Sequence, residues 1–321
     1  MMSTVAAPPI ISPPRNLVVG MTGELSASLP RGERELLMLL GFSEFLCCLS
    51  VARRERAAGR VCVPEGEAER AAGLIGSMGL HCHRSAFDLL PRPDFHEGKK
   101  VSHHAVYVAQ NSRPGAHAVL YFALDAEFAR GAESAELSRE QRLTARLFGY
   151  PECCAEFFSR EDGFNQDRTS GAVADAGPHP AILNPLLPEL YGVRLTFHFA
   201  CSPRCRRSYL MAKARLEWLK KLAPSAAEVE RLGAGIALYG PSTGASLVTR
   251  YEPAGPDSYF VEEVTTWGGA REGLFSGEAP ALLRLHSARR FEVNGRVFDD
   301  GLHFAAVFSE PAAGPAGESI S

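Results

Sequence analysis

RVCVPEGEAERAAGLIGSMGLHCHRSAFDLL, the run from Arg60 to Leu90, decides the fold. Arg60 to Val63 is a short β-rich segment, Glu65 to Met78 a helix of Ala and Glu with one apolar face, and Cys82 to Leu90 a second strand. Strand, helix and strand within so short a span indicate a small α/β unit near the N-terminus. Upstream, Arg31 to Arg56 has the pattern of one helix, with Glu33, Arg34 and Glu35 near its start and apolar residues at Leu36, Leu37, Leu40, Phe45 and Leu49. Gly59 stops it. Downstream, Val101 to Val108 and Ala118 to Leu124 are expected strands around the Asn111 to Gly115 turn, and Asp125 opens a polar helical stretch that reaches Phe148.

Further along, Gly163 to Pro180 is rich in Gly, Asp and Ser and is expected to be a mobile loop, of a length that suits a lid. Ser202 to Leu222 is the clearest helix, with Ser202 as cap, Pro203 at the first helical position, and Leu210, Ala214, Leu216 and Trp218 as an apolar face. Beyond Gly233 the pattern turns to β, with runs at Ile236 to Tyr239, Leu247 to Tyr251, Tyr259 to Val264, Arg289 to Val293 and His303 to Phe308. The expected class is therefore α+β: an N-terminal small α/β unit, central helices carrying a Cys/His site, and a C-terminal β-rich region. The boundaries that follow are a disordered arm over 1–15, a main domain over 16–232, a β-rich subdomain over 233–310 and a disordered tail over 311–321.

Composition narrows the function. The chain has 321 residues, 45% of them hydrophobic and 22% charged, enough to bury an ordinary core. A formal net charge of -3 gives no global attraction to nucleic acid or anionic membrane, and Arg204, Arg206 and Arg207 form only a local basic cluster. Met1 to Pro14 lacks the basic and apolar regions of a signal peptide, and the apolar stretch Leu36 to Val51, interrupted by Ser43 and Glu44, is too short to span a bilayer. The expectation is a cytoplasmic protein with a small-molecule substrate, no membrane or nucleic-acid partner, and an oligomeric state the sequence does not specify. In that compartment thiols stay reduced, so the eight cysteines point to metal, heme or thiol chemistry rather than to disulfides.

Two expected helix starts concentrate that chemistry. The first is Gly149-Tyr150-Pro151-Glu152-Cys153-Cys154, followed by Phe157-Phe158; the second is His198-Phe199-Ala200-Cys201-Ser202-Pro203-Arg204-Cys205. A thiol in the first turn of a helix faces the positive end of the macrodipole and favours its thiolate, the form that ligates metal. Adjacent cysteines point about 100 degrees apart on a helix, which makes Cys153 the expected inward member of its pair, narrowly ahead of Cys154. The candidate metal ligands are thus Cys153, Cys154, His198, Cys201 and Cys205, with His198, Cys201 and Cys205 as the cofactor-binding set. The spacing fits no standard zinc finger and no C-x-x-C-H heme attachment. His179, before Pro180, and Glu156, four residues after Glu152, are the acid/base candidates.

Weaker features surround these motifs. His81 and His83 alternate so as to share a strand face, while His103 and His104 cannot. Cys47 and Cys48 sit in an apolar helix as core residues, and Gly240 to Gly244 is a turn with no Gly-Lys-Ser/Thr to make a phosphate loop.

Gly-Tyr-Pro-x-Cys-Cys with a Phe-Phe pair, then His-x-x-Cys-Ser-x-x-Cys after a variable loop, resembles a family of prokaryotic proteins of unknown function over Lys99 to Leu219. The resemblance implies a Cys/His site at Cys153, Cys154, His198, Cys201 and Cys205 and no established reaction. Where the family often has Pro before its Cys-Ser pair, this chain has Ala200. Three functions stay open at this point: a redox enzyme using iron or heme in the Cys/His site, a structural zinc protein with a non-catalytic partner-binding role, and a metal-free thiol redox protein.

Overall fold

The structure is a computed structural model that describes residues 15–91, 105–111, 113–159, 177–184, 193–231, 235–240, 244–267, 274–275, 281–299 and 304–309. The proposed terminal arm and tail, His103 and His104, most of the Gly163 to Pro180 loop and the tip of the Gly240 to Gly244 turn lie outside them. The described chain is mixed α and β with two sheets, of the α+β class. It divides into two compact units, one comprising 22–166 with 196–201 and the other 1–21, 167–195 and 202–321.

The first unit is built on a four-stranded sheet ordered β1-β4-β2-β3, with β1 Ala58–Pro64, β2 His81–Pro91, β3 Ala105–Ala109 and β4 His117–Ala123. β1 and β2 are each antiparallel to β4, so they run parallel to one another on either side of it. Helix α4, Ala68–Ser77, makes the crossover. The Arg60 to Leu90 stretch is therefore a strand-helix-strand unit split by the insertion of β4. His-Ala-Val-Leu-Tyr-Phe-Ala of β4 is apolar at nearly every position because both its faces are covered. On one face Gly59 and Phe122 meet Cys47 of α3, Phe42–Ala52. On the other, Ala58, Tyr121 and Ala123 pack with Ala129, Ala132 and Ala135 of α5, Ala126–Leu137.

Several expected helices are divided. Arg31 to Arg56 is two helices, α2 at Arg31–Leu40 and α3, because Gly41 between them adopts φ 79°, a conformation that ends a helix turn. The stretch from Asp125 to Phe148 is likewise α5 and α6, Gln141–Leu147, interrupted where Arg139 adopts φ 58°. Asp125 caps α5 as its residue type predicts, its carboxylate accepting from the Glu127 N–H at 2.7 Å. A helix absent from the reading, α1 at Arg15–Ser28, buries Leu17, Met21 and Leu25 at four-residue spacing.

The second unit carries a seven-stranded antiparallel sheet ordered β10-β9-β8-β7-β6-β5-β11. Its strands are β5 Ile236–Gly240, β6 Gly244–Gly255, β7 Ser258–Trp267, β8 Ala281–Ser287, β9 Arg290–Val293, β10 Arg296–Phe298 and β11 Phe304–Val307. The β pattern after Gly233 is thus a true sheet, to which β8 and β10 add strands the reading lacked. Ile236, Leu238, Val248, Val261, Leu283, Phe291 and Val293 form its core on alternate positions. Among the described residues no helix is long and apolar enough to cross a membrane.

Candidate metal centre

The first cysteine segment is presented by a turn that only glycine fits. Gly149 has φ 66°, and a Cβ there would lie 2.9 Å from Cβ of Arg56. After it, Pro151 is buried and its carbonyl accepts from the N–H groups of Cys154 and Ala155, both at 2.9 Å, opening helix α7, Glu152–Ser159. Proline suits this place because it has no N–H to leave unsatisfied. Cys153 and Cys154 consequently stand in the first turn.

The second segment is a tight turn rather than a helical one. Helix α8 spans Arg206–Leu222, so its first residue comes three positions after Pro203, where the sequence suggested it. Ser202 forms no cap for it; instead the Ser202 hydroxyl accepts from Arg204 N–H at 3.1 Å and the Ser202 carbonyl from Cys205 N–H at 2.9 Å. Those local bonds compete with helix and hold Cys201 to Cys205 as a loop. Cys205 is the residue that caps α8, its carbonyl accepting from Tyr209 N–H at 2.9 Å.

The two segments meet. One sulfur from each of Cys153, Cys154, Cys201 and Cys205 lies within 4.8 Å of all the others. The Cys153 and Cys154 sulfurs are 3.9 Å apart and both belong to the group, where the sequence favoured Cys153 only narrowly over Cys154. Of the two, Cys154 is the more deeply placed at 2% exposure. The Cys201 N–H donates to its sulfur at 3.4 Å, and the Ser208 hydroxyl donates to the Cys205 sulfur at 3.4 Å. Such bonds stabilise negative charge on sulfur. The helix starts at α7 and α8 add the positive end of a backbone dipole on each side, and Arg204, Arg206 and Arg207 are exposed alongside.

The other expected site residues are not members of the group. His198 is not one of the four grouped residues; its ring stacks at a tilt 5.3 Å from that of Tyr150. Glu156 is exposed on α7. His179 is 1% exposed and bridged to β11, its N–H donating to Val307 O at 3.1 Å and its carbonyl accepting from Ser309 N–H at 3.0 Å. Its Nδ1 is 2.8 Å from the Gly177 carbonyl, which can only accept, so the proton sits on Nδ1; Nε2 accepts from Asn184 at 3.4 Å. Burial lowers its pKa below the ordinary histidine value. His83 Nε2 is 2.6 Å from Glu133 Oε2. Cys47 and Cys48 are buried in α3, as read.

Arg56 is the supporting residue that the sequence did not reveal. It is 7% exposed, its Nε donates to Ala58 O at 2.8 Å, and Nη1 points to the Cys47 sulfur at 3.5 Å. Its guanidinium lies over Phe148 at 5.5 Å and over Phe197 at 5.2 Å, the residues that lead into Gly149 and His198. One buried cation thereby braces both approaches to the cysteines. Nothing in the run Arg53-Arg54-Glu55-Arg56 distinguishes it from a solvated charge cluster.

Chemically, the arrangement is a group of four sulfurs that could hold a metal ion. A single tetrahedral zinc with bonds of ~2.3 Å needs sulfur–sulfur edges of about 3.8 Å, and the four sulfurs here are already near that size. Compared with known proteins, the chain matches no family model, no curated protein and no solved structure.

Proposed function

We propose that this chain is a zinc protein whose four-cysteine site is structural, fastening residues 153–154 to residues 201–205. The observation that supports this reading is the grouping of four sulfurs within 4.8 Å of one another, a group that among the described residues includes no imidazole or carboxylate. Four thiolates saturate a tetrahedral ion and leave no open position for substrate, the arrangement of structural rather than catalytic zinc. A heme would use one or two of these sulfurs and leave the rest without a role. A four-iron cluster places metal and sulfide between its ligands and spreads the thiolates farther apart than one ion does. Exposed Arg204, Arg206 and Arg207 beside the site offer an acidic partner a basic face, so the role we assign is partner binding rather than turnover.

Iron in the same four sulfurs is the alternative that would restore a redox enzyme, since tetrahedral thiolate suits both metals. Metal analysis and absorption of the purified protein separate them. One zinc per chain, a colourless solution, and intense visible bands after cobalt replacement are expected. Iron with a thiolate charge-transfer band, or a Soret band, overturns the zinc reading.

A further inference from the structure

The four sulfurs are not equivalent. Cys154 and Cys205 are 2% and 7% exposed, whereas Cys153 and Cys201 are only half-buried. An accessible thiolate is the one that attacks an oxidant, and burial shields the other two from it. The site therefore has a protected edge and a reactive edge.

We propose that Cys153 and Cys201 form a peroxide-sensitive edge, at which oxidation joins them in a disulfide and releases the metal. The inference rests on the metal reading above and assigns regulation to that same site. The Cys153 thiolate attacks one oxygen of a hydroperoxide, the O–O bond breaks, and the sulfur becomes a sulfenic acid while the departing oxygen takes a proton and leaves as water or alcohol. Cys201 then attacks the Cys153 sulfur, the S–S bond forms, and hydroxide leaves and is protonated to water. Two electrons pass from two thiolates to one peroxide. The ion, left with Cys154 and Cys205, loses half its ligands and dissociates.

Geometry selects this pair. Cys153 and Cys154 are closer in sequence, but the Cα atoms of neighbouring residues are ~3.8 Å apart, below the usual disulfide range, and both lie on helix α7. Cys201 comes from a different segment and its sulfur is within 4.8 Å of that of Cys153. Away from the site, Cys82 is half-buried as well, but burial pushes its thiol up to about 12, so it stays protonated and slow to react.

The test starts from zinc-loaded full-length protein treated with hydrogen peroxide in the presence of a chromophoric zinc chelator, with peptide mass mapping of the product. Zinc release should accelerate at least about tenfold over the peroxide-free rate, reach one ion per chain, and yield a Cys153–Cys201 disulfide that a dithiol reductant reverses. Cys201→His keeps a zinc-ligating side chain but cannot close the disulfide, so oxidation stops at the Cys153 sulfenic acid: no Cys153 disulfide should form, and zinc release under peroxide should be at least about tenfold slower than in the wild type. A chain that takes up no metal overturns the site and the switch together. Zinc retained under peroxide, or released with any other disulfide, overturns the switch alone and leaves the metal site standing.

Discussion

On the zinc reading, Cys154 and Cys205 are the ligands whose loss is least tolerable, because they are the two most deeply buried of the four. Cys154→Ser and Cys205→Ser should each lower zinc content from one per chain to near zero, measured on dialysed protein, while Cys47→Ala and Cys48→Ala leave it unchanged. Arg56 acts on the same site indirectly. Arg56→Leu removes the cation between Phe148 and Phe197 and leaves the Ala58 carbonyl without its donor, so it should destabilise the protein by about 2–4 kcal/mol and loosen zinc about tenfold. Urea unfolding and competition with a chelator measure the two effects. His179 makes a different prediction, because burial depresses its native pKa while the unfolded chain keeps an ordinary value of about 6.5. Its contribution is then complete above that value and is lost as pH falls through it toward the native pKa, since the unfolded state takes up a proton that the native state resists. Between pH 7.5 and 5.5 the wild type should lose more stability than His179→Gln, in which the other histidines titrate equally. Parallel curves for the two proteins would remove His179 from the pH response.

At the level of elements, what the sequence showed and what it hid have physical causes. Helices with a capping residue or a strong apolar stripe were legible: Asp125 marks the start of α5 and Pro224 the end of α8. Breaks were not, because a positive φ at Gly41 or Arg139 is a tertiary choice in a region whose apolar periodicity continues across it. The start of α8 was misplaced because Ser202-Pro203 makes an equally good helix opening or tight turn, and side-chain bonding to the turn won. Membership of the site followed the same division. The two motifs contain the four cysteines that the fold groups, one pair in the first turn of α7 and the other in the turn before α8. His198 is not in that group, and its ring rests against that of Tyr150, a contact no spacing reveals. Gly149 connects these observations to stability. Gly149→Ala must hold a side chain at φ 66° and place a Cβ 2.9 Å from that of Arg56, so a cost of about 2 kcal/mol or more is expected, together with weaker zinc binding. A variant as stable as wild type would show that the turn before α7 can relax without disturbing the cysteines.

For the whole molecule, the proposed zinc site would link metal to global stability. The ligands fall in two segments separated by roughly fifty residues of chain, so an ion that joins them closes a long loop and removes conformational entropy that the unfolded chain would otherwise hold. Zinc that binds only the folded chain stabilises it by about 2.7 kcal/mol when free metal stands at a hundred times its dissociation constant, and by more as the excess grows. Removing zinc with a chelator should therefore lower the melting temperature, by about 5 °C or more, and readdition should restore it. The effect belongs to the site only if it disappears with the site. Cys205→Ser protein should already melt at the lower temperature and respond to neither chelator nor zinc, whereas Cys47→Ala protein, altered in a buried cysteine outside the group, should start lower through lost packing but keep the full metal response. A melting temperature that ignores chelation in metal-loaded wild-type protein would mean that the ion is held without holding the fold, and the structural role proposed for it would fall.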